Sequence, residues 1–160
     1  MRFMPGTIAR QGLLAACLLM LACPHAVAVL GGPVSTIESD RAMIAAQHHL
    51  STLAATAIPV HELRTSDGSV VKEFVGPDGF VFAVRWSTRL KPRLDQLLGA
   101  QAIVYRSAAA RSANAPGIRH RFVLDQGDLV VQSDMHLTAY VGIAYLRSRL
   151  PEGVHADDLR

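Results

Sequence analysis

Cysteine is nearly absent from this chain. Of 160 residues only Cys17 and Cys23 carry a thiol, and both fall within the first 28. A domain formed by the remainder therefore has no disulfide, no thiol nucleophile and no cysteine metal site. Aromatic residues are scarce at 6%, which limits both large core side chains and stacking platforms for ligands. Acidic residues are missing from the first 28 positions, where Arg2 and Arg10 stand alone. No apolar run reaches the ~20 residues that cross a bilayer comfortably. Missing too are G-x-S-x-G, G-x-G-x-x-G, the phosphate-binding loop and His-x-x-x-His, the local signatures of common hydrolases, nucleotide binders and zinc enzymes.

What is present begins with an export pattern. The positive start is followed by the uncharged run Gly12–Cys23, by Pro24, and by Ala26-Val27-Ala28. A short apolar core followed by a small–x–small triplet is the layout a signal peptidase reads. Cleavage after Ala28 is expected, with a signal helix at 1–28 and one small domain at 29–160. An alternative is a lipoprotein anchored through Cys23, which follows Ala22, although Met20 and Leu21 fit the usual lead-in poorly. Contact with the membrane is expected only through the signal or that acylated cysteine. Nucleic acid is not an expected partner for an exported protein. Without the signal the formal net charge falls from +3 to +1, with 14 basic residues against 13 acidic ones. The one local bias is Arg106, Arg111, Arg119 and Arg121, in a stretch free of acid between Asp95 and Asp125. It suggests attraction to an anionic surface component or an acidic partner.

Within the domain, "LGGPV" reads as a flexible, turn-like start. Ser35 three residues before Glu38 spells a capping box opening a short helix through about Ala46. From Ala57 the period becomes two. "IPVHELR", "SVVKEFV" and "FVFAVRW" are separated by Ser66-Asp67-Gly68 and Pro77-Asp78-Gly79, the chemistry of tight turns. They predict an antiparallel meander in which Phe80, Phe82, Val84 and Trp86 share one buried face. Pro92 then opens a helix whose Leu94, Leu97, Leu98, Ala102 and Tyr105 form one apolar stripe, with Gly99 inside it. A connector at 107–117 precedes "HRFVLD", "DLVVQS" and "LTAYVGIAYL", three further strands, the last apolar enough on both faces to be central. The fold class is α+β: an antiparallel β-meander with one main amphipathic helix packed on it, a short N-terminal helix and the cleavable signal helix.

The start Leu30-Gly31-Gly32-Pro33, the block "VHELRTSDGSVVKEFVGPDGFVFAVRW", "LDQLLG" and the ending "GDLVVQSDMHLTAYVGIAYLRSRLPEGVHADDLR" carry a resemblance. Over nearly all of 29–160 the chain resembles an uncharacterised family of exported proteobacterial (Burkholderia-type) proteins, a domain of unknown function. The resemblance implies export and one small domain. It brings no activity, cofactor or catalytic residue with it.

The chemistry-bearing residues are few. His48-His49 is the metal candidate, although neighbours on a strand or helix rarely enter one coordination shell. His61-Glu62 lies on a strand that sends the two side chains to opposite faces. Asp125, Asp128, Asp134 and His136 surround a predicted hairpin and offer acid–base groups, but lack calcium-loop spacing. Trp86 and Tyr140 read as core. No cofactor is implied. The leading expectation is a non-enzymatic exported domain, periplasmic or secreted, that binds an envelope protein or envelope component, its antiparallel edge strands open to a partner. The alternative is an envelope hydrolase-type enzyme using Asp128, Asp134 and His136. Mass spectrometry of the exported protein should find Val29 at its N-terminus, and a diacylglycerol-modified Cys23 would establish the lipoprotein instead.

Overall fold

A computed structural model describes residues 30–43, 45–53, 56–113, 120–136 and 138–159. The expected signal segment, the expected cleavage site at Ala28, both cysteines and Arg119 lie outside the described residues. A 3-10 turn at Val34–Thr36 leads into α1 (Ile37–Met43), followed by strands β1 (Gln47–Thr52), β2 (Pro59–Arg64), β3 (Val70–Val75) and β4 (Val81–Thr88). Helices α2 (Leu94–Leu98) and α3 (Ala102–Ala113) come next, then β5 (Arg121–Gln126), β6 (Leu129–His136) and β7 (Ala139–Leu146). All seven strands join one antiparallel sheet in the order β1-β2-β3-β4-β7-β6-β5. The fold is α+β, as the pattern of residues predicts.

Turn chemistry holds the meander in register. Asp67 accepts hydrogen bonds from the Ser69 main chain at 3.0 Å and from the hydroxyls of Thr65 and Ser69, while Gly68 takes φ +84°. Asp78 accepts from the Phe80 N–H at 3.1 Å beside Gly79 at φ +77°. These are the bonds that make Asp-Gly a hairpin signal. The strand at 139–146 lies between β4 and β6, in keeping with its apolar faces.

Four local expectations are corrected. The stretch Leu30–Val34 is tied down rather than flexible: Leu30 is buried, Leu30 and Gly31 donate to the main-chain oxygens of Leu97 and Val81, and Pro33 bridges to Phe80. The capping box does not form among the described residues, because Glu38 turns to Arg41 at 2.8 Å and to His48 at 3.4 Å. Helix α1 stops at Met43, since Ala45 takes φ +49°. The single helix expected after Pro92 is broken at Gly99, whose φ of +46° only glycine adopts freely. Its stripe still works, for Leu94, Leu98 and Ala102 are buried, with Leu97 and Tyr105 packed beside them.

The larger correction concerns β4. Phe74 pairs with Ala83 and Val75 with Val81, so Phe82 has no partner on β3. This β-bulge puts two consecutive side chains on one face and reverses the alternation beyond it. Val81, Val84 and Trp86 face the helices with Leu94 and Leu98. Phe82 and Ala83 face the other way, against Phe74, Val154 and Leu159. Phe80 is half-buried under the Arg149 guanidinium, 4.6 Å from its ring centroid. Phe80, Phe82, Val84 and Trp86 therefore do not share a face, because an alternation read from sequence carries no sign of an extra residue.

Trp86 lies opposite Gly142 of β7. A Cβ on Gly142 would fall inside contact distance of Trp86 Cζ2 and 2.5 Å from the main-chain oxygen of Gln132. Gly142→Ala should therefore destabilise the protein by ~1–3 kcal/mol, the usual cost of overpacking. Urea unfolding checks this, and the cost should shrink when Trp86→Phe is introduced alongside it.

Candidate functional site

The residues expected to do acid–base work are parted by the length of a strand. Asp125 and Asp128 flank the β5–β6 turn. Asp125 accepts from Arg147 at 2.5 Å, and Asp128 accepts from the Ser148 N–H at 2.6 Å and the Ser148 hydroxyl at 2.8 Å. Arg147 holds the Asp125 carboxyl below the usual carboxylate range. Those contacts fasten the turn to the chain following β7. Asp134 and His136 stand at the far end of β6, ~20 Å away at strand rise. Asp134 lies 3.8 Å from Arg121, while His136 is exposed at the final pairing with β7. Asp128 is thus held apart from Asp134 and His136, which line one shallow depression with His120 and Arg121.

The histidines regroup. Adjacent positions on β1 send His48 and His49 to opposite faces, opposite Leu63 and Glu62 respectively. His48 instead reaches His61 on β2. Its Nε2 lies 2.9 Å from His61 Nδ1, and the rings are 8° from parallel with centroids 5.0 Å apart. Glu38 lies 3.4 Å from His48 Nδ1. With Nδ1–H of His48 donating to Glu38, Nε2 is left to accept the Nδ1–H of His61. This Glu–His–His chain joins α1 to the first hairpin. The spacing of 13 residues between the two histidines gave no local signal of it. Among the described residues no three His, Cys, Asp or Glu side chains converge as a metal shell. His61 and Glu62 do point apart: Glu62 pairs with Arg64 at 2.6 Å and Lys72 at 3.2 Å on the other face.

A cavity of about 150 Å³ lies under α2, lined by Leu63, Val71, Glu73, Pro92, Gln96 and Leu97 among others. Glu73 is fully buried in its wall. The space is small beside the ~300–1,000 Å³ of ordinary ligand pockets.

Among the described residues two surfaces are open. The first is β1, an edge strand whose six residues are all exposed, with Leu50 59% exposed. The opposite edge, β5, is guarded: Tyr105 of α3 meets Phe122 edge-on at 5.3 Å, and Arg111 bonds Gln126 at 3.3 Å. The second surface lies on the face away from the helices. The C-terminal tail covers part of that face through Leu150, Val154, Ala156 and Leu159. Beyond the tail, Arg85, Gln132, Asp134, Val141 and Ile143 line a shallow depression. The anticipated basic stretch is dispersed by pairing, as Arg106 lies 3.5 Å from Asp95 and Arg121 lies near Asp134.

The molecule is thus an α+β domain on a single antiparallel sheet, with one bare edge and one half-covered face. The chain belongs to the family described as Protein of unknown function (DUF2844), whose model matches residues 26–159. No curated protein and no solved structure matches it.

Burial, followed by the neighbouring His48, holds the His61 ring below the usual imidazole range. A histidine that binds a proton less readily when folded contributes stability above about pH 6.5, and that stability is lost as pH falls from there toward the folded value. Urea unfolding between about pH 7.5 and about pH 5 should show this decline, and His61→Gln should flatten it. An unchanged slope in the variant would assign the decline to other groups.

Proposed function

We propose that this is an exported, non-enzymatic binding module that takes an extended segment of an envelope protein onto β1 as an eighth strand. The observation that carries this reading is the bare edge. Strand edges expose unpaired N–H and C=O groups, and proteins usually blunt them with Lys, Pro, a bulge or a covering element. The strand Gln47–Thr52 contains none of these residues, and its register with β2 runs unbroken from Gln47↔Arg64 to Thr52↔Pro59. Strand addition draws affinity from the main chain and specificity from alternate side chains. Here those side chains are Leu50 and His48 on one face, His49 and Ser51 on the other. Export rests on the pattern at 1–28. Among the described residues no helix is long and apolar enough to cross a membrane.

A benzophenone side chain in place of Leu50 tests the site in living cells. Irradiation should yield an adduct with an envelope protein, absent when the probe replaces Leu90, which is 75% exposed in a loop. Adding Ser51→Lys to the Leu50 probe should abolish the adduct while leaving stability within ~0.5 kcal/mol, as expected of an exposed position. Adducts at both probe sites alike, or an adduct only with a second copy of the chain, would overturn the proposal.

A further inference from the structure

We infer that the open part of the second sheet face is a carboxylate site centred on Arg85, suited to an acidic side chain of an extended peptide. Arg85 sits midway along β4, half-buried, between Lys72 of β3 and Ile143 of β7. Its neighbouring cations each have a carboxylate in reach: Arg64 and Lys72 share Glu62, and Arg121 lies 3.8 Å from Asp134. Among the described residues Arg85 is the half-buried cation with no carboxylate within 4.0 Å, whereas Lys72 and Arg149 each have one. A cation drawn partly out of water without a counter-charge favours an incoming anion.

The surroundings select which anion. The depression beside Arg85 encloses about 280 Å³ and is lined by Arg121, Gln132, Asp134, Val141 and Ile143. Two arginines against one aspartate leave a single positive charge, which matches a monoanion and disfavours a phosphate dianion beside Asp134. The planar guanidinium fork fits a carboxylate through two parallel hydrogen bonds. Among the described residues no aromatic side chain lines the depression, so an acidic sugar would find no ring there to stack upon. Val141 and Ile143, with the exposed Val123 in the same cross-strand row as Arg85, offer apolar contacts to side chains flanking the acid. An apolar–acidic–apolar peptide fits this lining. The site is separate from the β1 edge, so each can fail without the other.

Fluorescence anisotropy of the purified protein with fluorescein-labelled Val-Glu-Val-Glu-Val, and with its glutamine counterpart, tests the inference. The glutamate peptide should bind more tightly, and added salt should weaken it. Arg85→Gln should lower affinity ~10–100-fold, in line with the loss of hydrogen bonds to a charged group. Arg85→Lys should recover part of the loss, and Leu50→Lys at the β1 edge should change nothing. Arg121→Gln, at an exposed position, should cost about threefold and carries the test if Arg85→Gln does not fold. Equal binding of the two peptides, binding of neither at millimolar concentration, or full affinity in Arg85→Gln would overturn the inference. So would Arg85-dependent binding to phosphatidylglycerol vesicles in place of the peptide.

Discussion

Phe82 has no partner on β3, and most of the architecture follows from that one extra residue. A regular strand offers one set of side chains to each face, in strict alternation. By placing Phe82 and Ala83 together on the second face, the bulge lets β4 return Val84 and Trp86 to the helix side. Trp86 then lies against the bare backbone of Gly142, while Phe82 anchors the layer closed by Val154 and Leu159. One strand thus serves two cores. The helices need cover only one face, and a short C-terminal tail can seal part of the other.

That partial seal leaves part of the second face open among the described residues. The tail packs through Leu159, and the open rows beside it carry Arg85, Gln132 and Arg121 among Val141 and Ile143. At one edge, α3 and its aromatic contact guard β5. Among the described residues nothing comparable stands over the other edge, β1, which is exposed along its length apart from the packing of His48 on His61. This strand exists because its backbone bonds to β2 and because Glu38, His48 and His61 tie it to α1. Such a strand contributes little core and is correspondingly easy to extend with a further strand.

The same facts explain which parts were legible in the residues alone. Strands β2 to β4 alternate and are punctuated by Asp-Gly turns whose side chains bond the backbone locally, so both signals sit within a few residues of their effect. The helix stripe and the central position of 139–146 were legible for a similar reason, since burial on one or both faces leaves a periodic trace. Strand β1 leaves none, because "QHHLST" has no apolar face to betray its period. The bulge at Phe82 is set by pairing with β3, and the His48–His61 contact by the register of β1 on β2. Neither exists until the sheet forms. At the level of the site, the polar cluster at 125–136 looked like one group only because a hairpin brings its residues near in sequence. A strand of eight residues then holds its two ends apart.

These placements bear on the contrast between binding and chemistry. A general acid or base earns its rate only when held within hydrogen-bond reach of a reacting atom and of its partner group. The carboxylates at 125 and 128 are spent on Arg147 and Ser148, contacts that fasten a turn. The Glu38–His48–His61 chain has the order of an acid–base relay, but Glu38 is shared with Arg41 and both histidines belong to one edge hairpin. Its geometry ties that hairpin to α1. The polar contacts at the β5–β6 turn and at the first hairpin thus fasten one element of the fold to another.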